Sequence, residues 1–125
     1  MMGLNFKKAI VLGGSKGIGQ QITKQIKSLG IKTYSCSRKN IDTSNLTSVR
    51  KFIKKHKSTD ILILNSGGPP TISFEKISVN QWKTYFNQMF LSYFLILKYV
   101  KINKNGYVFY ISSSIIKEPG DDLVI

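Results

Sequence analysis

Between Ala9 and Leu12 the chain is continuously apolar, and it then runs through Gly13-Gly14-Ser15-Lys16-Gly17-Ile18-Gly19 into a helical pattern. Few folds accommodate that succession. A buried strand must end at a turn almost free of side chains, and the turn must open directly into a helix. The first N–H groups of such a helix lack intrahelical partners, and its dipole places partial positive charge there. The turn is therefore an anion site suited to a phosphate. Its glycines turn the chain, let backbone approach a pyrophosphate, and let helix pack on strand. Their spacing is G-x-x-x-G-x-G over Gly13, Gly17 and Gly19, not G-x-G-x-x-G. A glycine turn alone also fits an ordinary strand-to-helix connection, so the remaining chain has to decide.

Beyond the turn, strand and helix patterns alternate. Ile18, Ile22, Ile26 and Leu29 share a helical stripe that Gly30 stops. Ile31 to Ser37 reads as a second strand, and Asn40-Ile41-Asp42 as at most a stub of a third. Thr43 or Ser44 caps a second helix with Leu46, Val49, Phe52 and Ile53 on one face. Ile61 to Leu64 is apolar on both faces, as an interior parallel strand is, and Asn65-Ser66-Gly67-Gly68-Pro69-Pro70 breaks it. A long helix follows from Ser78 or Asn80 to about Lys101, with a wide apolar face from Trp82 through Phe86, Met89, Phe90 and Tyr93 to Val100. Asn105-Gly106 turns the chain into a last strand, Tyr107 to Ile111, which Ser112-Ser113-Ser114 ends.

This alternation predicts one α/β domain over residues 1–125, a doubly wound parallel sheet of Rossmann-like type. Ligands in such sheets bind at the carboxyl ends of the strands. Gly13 to Gly19, Ser37-Arg38, Asp42-Thr43, Asn65 to Gly68 and Ser112 to Ser114 all lie at those ends.

Composition excludes several alternatives. With 42% hydrophobic and 20% charged residues the chain is globular, and no apolar run reaches membrane-spanning length. One cysteine, Cys36, offers no disulfide framework and points to a reducing cytoplasm; one His and one Cys leave no zinc site. Nineteen basic against six acidic residues give a net charge of +13. The lysines are scattered, however, with only Lys54-Lys55-His56-Lys57 clustered. That is a solvated Lys-rich surface rather than a nucleic-acid or membrane site, although its field attracts anionic ligands.

The chain resembles a short-chain dehydrogenase/reductase, of the kind that includes 3-oxoacyl-carrier-protein reductases. Leu12-Gly13-Gly14-Ser15-Lys16-Gly17-Ile18-Gly19 resembles the family's T-G-x-x-x-G-x-G, with Leu12 for threonine. Leu64-Asn65-Ser66-Gly67 resembles N-N-A-G, and Tyr110-Ile111-Ser112-Ser113 the strand that ends in the family's catalytic serine, here Ser113. Asp42-Thr43 matches the acidic position whose loop borders the adenine ring. The resemblance implies strand order 3-2-1-4-5, truncated before the last helices and strands, and a nicotinamide dinucleotide held by Gly13, Ser15, Lys16, Gly17, Ile18, Gly19, Ser37, Arg38, Asp42, Thr43, Asn65 and Gly67.

Three departures qualify it. The helix between the second and third strands is missing, the asparagine of the proton relay is replaced by Met89, and no tyrosine has a lysine four residues on. The family's Y-x-x-x-K pair would follow Ile125, so this sequence matches the first half of a family domain. Charge argues for NADP(H) over NAD(H). Ser37-Arg38-Lys39 stands where a NAD binder has a carboxylate, and Lys16 lies in the facing turn. The expectation is an NADP(H)-linked oxidoreductase acting on a small carbonyl or alcohol, without turnover by this chain alone. The alternatives are a non-catalytic dinucleotide-binding module or partner subunit and, third, a basic nucleic-acid binder. With the later helices absent, an apolar sheet face and an edge strand would be bare, which predicts a homo-oligomer.

Overall fold

The computed structural model of the protein describes residues 5–65, 67 and 72–111. In chain order they form β1 (Lys8–Leu12), α1 (Gly17–Ser28), β2 (Lys32–Cys36), α2 (Leu46–Lys55) and β3 (Ser58–Leu64). A single 3-10 turn (Phe74–Lys76) precedes α3 (Val79–Phe86), a π-helical turn (Asn87–Leu91), α4 (Ser92–Tyr99) and β4 (Lys101–Tyr110). The four strands are parallel and ordered β2-β1-β3-β4. This is the expected order without its first member. Asn40-Ile41-Asp42 forms no strand; Ile41 instead buries its side chain in the core under the end of β2.

Alternation along β1 divides the core. Ala9 and Val11 pack with Ile61, Ile63 and the α1 residue Ile26 on one face. Ile10 and Leu12 pack on the other with Leu62, with Val49 and Phe52 of α2, and with Tyr93 and Ile96 of α4. Helix α1 thus covers one face and the α2–α4 pair the other, as right-handed crossovers require.

Several local details differ from the sequence expectation. Asn45, not Thr43 or Ser44, caps α2: its side-chain oxygen accepts from the N–H groups of Thr47 and Ser48. Thr43 is buried, and Ser44 donates to the Asp42 carboxylate. Along α1, Ile18 and Leu29 point to solvent, because Gly19, Thr23 and Ile26 form the stripe that meets the sheet. The β3 face expected to be bare is covered: Ile61 and Ile63 are buried in a cluster with Ala9, Val11 and Ile26, against which Phe6, Ile22 and Ile111 pack. Among the described strands, large apolar side chains are exposed only on β4, where Tyr107 to Tyr110 are 40–55% exposed. That strand also begins earlier than Tyr107. Asn103–Gly106 bulge opposite Asp60, whose carboxylate accepts from the N–H groups of Lys7 and Lys8 and from the Asn103 amide.

The last turn of α2 carries a pH-sensitive contact. His56 is buried between the rings of Tyr34 and Phe52, with centroid distances of 4.9 and 4.7 Å, and its Nδ1 has no described partner. Burial, then the charges of Lys8 and Lys55, lower its pKa below the ordinary 6.5. The unfolded chain therefore binds more protons than the folded one in the window below 6.5. Stability from neutral His56 is complete above that pH and is lost as pH falls through the window. Denaturation midpoints should decline from pH 7 to pH 5, and His56→Phe should flatten that part of the decline. An unchanged slope in the variant would contradict the assignment.

Candidate active site

The glycine turn stands at the carboxyl end of β1, on the rim where the sheet winds in opposite directions. The Gly14 N–H donates to the Cys36 carbonyl (3.1 Å), tying the turn to β2. Gly13 has φ +63°, and its carbonyl accepts from the Asn65 side-chain amide at 3.3 Å, so Asn65 links the turn to the end of β3. Lys16 precedes α1 in extended conformation, with no side-chain cap, and no acidic residue occupies the helix's first turn. Gly17 has φ +53°, and a Cβ there would meet nothing within 4 Å. The helix N-terminus is thus open, uncapped and flanked by the exposed Ser15, Lys16 and Ile18. An anion can approach its N–H groups directly.

Beside the turn lies a cleft of about 150 Å³. Leu12, Cys36 and Ile41 give it an apolar wall; Ser37, Arg38, Asp42 and Thr43 form its polar rim; Gly13, Gly67 and Gln88 close the remaining sides. Burial pushes the Cys36 thiol up to about 11, despite the opposing charges of Lys55 and Lys8, so it is a wall residue and not a nucleophile. The Asp42 carboxyl is held below the usual carboxylate range chiefly by the Ser44 hydroxyl, with a smaller contribution from the Arg38 charge. Arg38 Nε lies 3.9 Å from Asp42 Oδ1, and the Arg38 side chain is 81% exposed. Such a loose pair contributes about 0–1 kcal/mol and leaves the guanidinium free to turn toward a ligand.

The structure therefore brings Gly13, Ser37, Arg38, Asp42, Thr43 and Gly67 to one cleft, with Gly17, Ile18 and Gly19 at the adjoining helix start. Met89 lies in the π-helical turn next to Gln88, half-buried. Ser113 lies outside the described residues. Sequence reasoning missed Gln88. Its signal is a carboxamide between the aromatic Phe86 and the apolar Met89-Phe90-Leu91, but the wide turn that aims it inward has no sequence signature. No helix among the described residues is long and apolar enough to cross a membrane.

No family model matches the chain. Among curated proteins it is 33% identical over 118 residues to the bifunctional ribulose 5-phosphate reductase/CDP-ribitol pyrophosphorylase Bcs1 of Haemophilus influenzae, covering 84% of this chain and 24% of that protein. Among solved structures, a small-chain dehydrogenase superposes with TM-score 0.79 at 25% identity, over 94% of this chain and 66% of the other. A small-chain dehydrogenase in complex with NADPH gives the same TM-score and identity over 56% of its length. A short chain dehydrogenase from Burkholderia cenocepacia in complex with NADP shares the fold at TM-score 0.67 and 17% identity, over 93% of this chain and 59% of that one. The chain thus spans about a quarter of the curated relative and under two thirds of these solved dehydrogenases. Its fold and the order of its motifs are similar to those of the short-chain dehydrogenases/reductases.

Proposed function

We propose that the chain binds NADP(H) along the carboxyl rim of its sheet and forms the cofactor-binding part of a carbonyl reductase. One observation carries the reading: an uncapped helix start with open space over Gly17 adjoins a base-sized cleft edged by Arg38. The N–H groups at the start of α1 would take the pyrophosphate, with Lys16 beside it. Leu12, Cys36 and Ile41 would shield one face of the adenine, and Asp42 and Thr43 would border its edge. Arg38 suits a 2′-phosphate, which it can grip by two parallel hydrogen bonds, and Lys16 adds a point charge. When bound, the nicotinamide supplies or accepts the hydride.

A phosphorylated ketose is the substrate class we infer. It is supported by the name of the Haemophilus influenzae relative, a ribulose 5-phosphate reductase, and by a net charge of +13 that attracts anionic substrates. Met89 cannot relay a proton, and this favours a second reading, a dinucleotide-binding module without turnover. NADPH and NADH titrations followed by nicotinamide and Trp82 fluorescence test binding. Failure of both to bind would overturn either reading. A carbonyl-reduction assay then separates them, and we expect no turnover by these 125 residues alone.

We also propose that the chain self-associates through its long helix. Trp82, Phe86, Phe90, Phe94 and Leu97 are 46–66% exposed, and the Phe86 and Phe90 rings stack at 5.5 Å. Contiguous exposed apolar surface of this kind marks an interface. Sedimentation at micromolar concentration should show a dimer or larger species, and Phe86→Ser with Phe90→Ser should return it to monomer. A monomeric wild-type chain would refute this.

A further inference from the structure

We propose that Gln88 is a positioning residue that fixes the wall of the cleft on which the nucleotide's base rests; the inference builds on the dinucleotide reading above. Its side-chain amide donates to the Gly67 carbonyl, and both residues line the cleft. The bond joins the long helix to Gly67, three residues beyond the end of β3.

Each end of this contact has a physical reason. Asn87–Leu91 form a π-helical turn, with the Ser92 N–H reaching back to the Asn87 carbonyl. The wider turn carries an extra residue, which changes the direction of side chains relative to the α-helix before it. Phe86 and Phe90 remain on the solvent side while Gln88 faces the cleft. Its backbone is anchored from beneath, because the hydroxyl of the fully buried Ser92 donates to the Gln88 carbonyl at 2.9 Å. Gly67 has no side chain to pack, and a Cβ there would meet nothing within 4 Å. Among the described residues, the contact that holds it is made through its carbonyl, and Gln88 supplies the donor. The apolar lining residues Leu12, Cys36 and Ile41 are buried in the core, so the Gly67 carbonyl and its contact with Gln88 are the part of the lining that a substitution can change without disturbing the core.

The test compares Gln88→Met, which keeps length and loses the N–H donor, with wild type in binding 2′,5′-ADP and NADPH. Gln81→Met serves as reference, since it makes the same exchange on the same helix at the capping box of Ser78. We expect Gln88→Met to weaken both ligands by about fivefold, the effect of one hydrogen bond, while Gln81→Met stays within twofold. Gln88→Ala, a good helix former, replaces the Met variant should that not fold, and the same loss is expected. Unchanged affinity in the Gln88 variants, or an equal loss in Gln81→Met, would overturn the positioning role. A wild-type chain that binds neither ligand would overturn the dinucleotide reading itself, and this inference with it.

Discussion

Gly19→Ala is expected to abolish dinucleotide binding and to cost about 3 kcal/mol of stability, the scale of a severe overpacking change. A Cβ at Gly19 would fall inside the contact limit of the Gly13 carbonyl oxygen and 2.8 Å from the Asn65 side-chain amide. Neither can retreat cheaply. Gly13 sits in left-handed conformation at the end of a buried strand, and Asn65 is tied to its carbonyl. On the other side, the Thr23 hydroxyl donates to the Gly19 carbonyl at 2.8 Å inside the α1 interface. Relief would require α1 to move away from β1, which displaces the helix N-terminus from the cleft. Gly17→Ala is the matched comparison. Gly17 also has a positive φ, but its missing Cβ faces open space, so that variant should lose only about 1 kcal/mol. Urea denaturation and NADPH titration of the two variants measure the difference. Equal stability of the two would show that helix–strand approach is not what Gly19 provides.

Much of this architecture was legible because it is written locally. The strand–turn–helix at Leu12 to Gly19 needs no distant partner to be recognised: the apolar run, the glycines and the following period all lie within one stretch. Ile61 to Leu64 likewise declares itself an interior strand by being apolar on both faces. What failed depended on tertiary choices. Ile18 and Leu29 fit the α1 stripe by period, yet the helix turns its small residues, Gly19 and Thr23, toward the sheet because close approach is possible only there. Thr43 has the chemistry of a helix cap, but the chain buries it and leaves that task to Asn45. Asn105-Gly106 has the composition of a turn, and the structure uses it as a bulge within β4, because Asp60 holds Asn103 opposite the strand. In the long helix, the π-helical turn shifts the register of everything after Leu91. A single helical period therefore spreads the apolar residues over an unusually wide face, and Gln88 is lost among them.

The second large effect concerns the choice between the two nicotinamide cofactors. On the proposed assignment, Lys16→Ala combined with Arg38→Ala should lower the ratio of NADPH to NADH affinity by about 30-fold to 100-fold. That corresponds to about 2–3 kcal/mol, the contribution of charge-assisted hydrogen bonds to one phosphate. Arg38 must first leave Asp42, at 3.9 Å, but so exposed a pair opposes the move by no more than about 1 kcal/mol. Asp42→Asn, which removes that competitor, should therefore shift the ratio modestly in the opposite direction. It leaves the Ser44 contacts a side-chain oxygen to meet. Because both cations are exposed, salt supplies an internal check. The wild-type preference should shrink as ionic strength rises from about 0.05 to about 0.5 M, since the screening length falls to about 4 Å and the attraction between exposed charges weakens with it. The doubly substituted chain should be nearly indifferent to salt in this ratio while still binding NADH. A preference for NADPH that survives both substitutions would place the phosphate's partners elsewhere on the rim, and loss of NADH binding in the same variant would mean that the two cations hold the pyrophosphate instead.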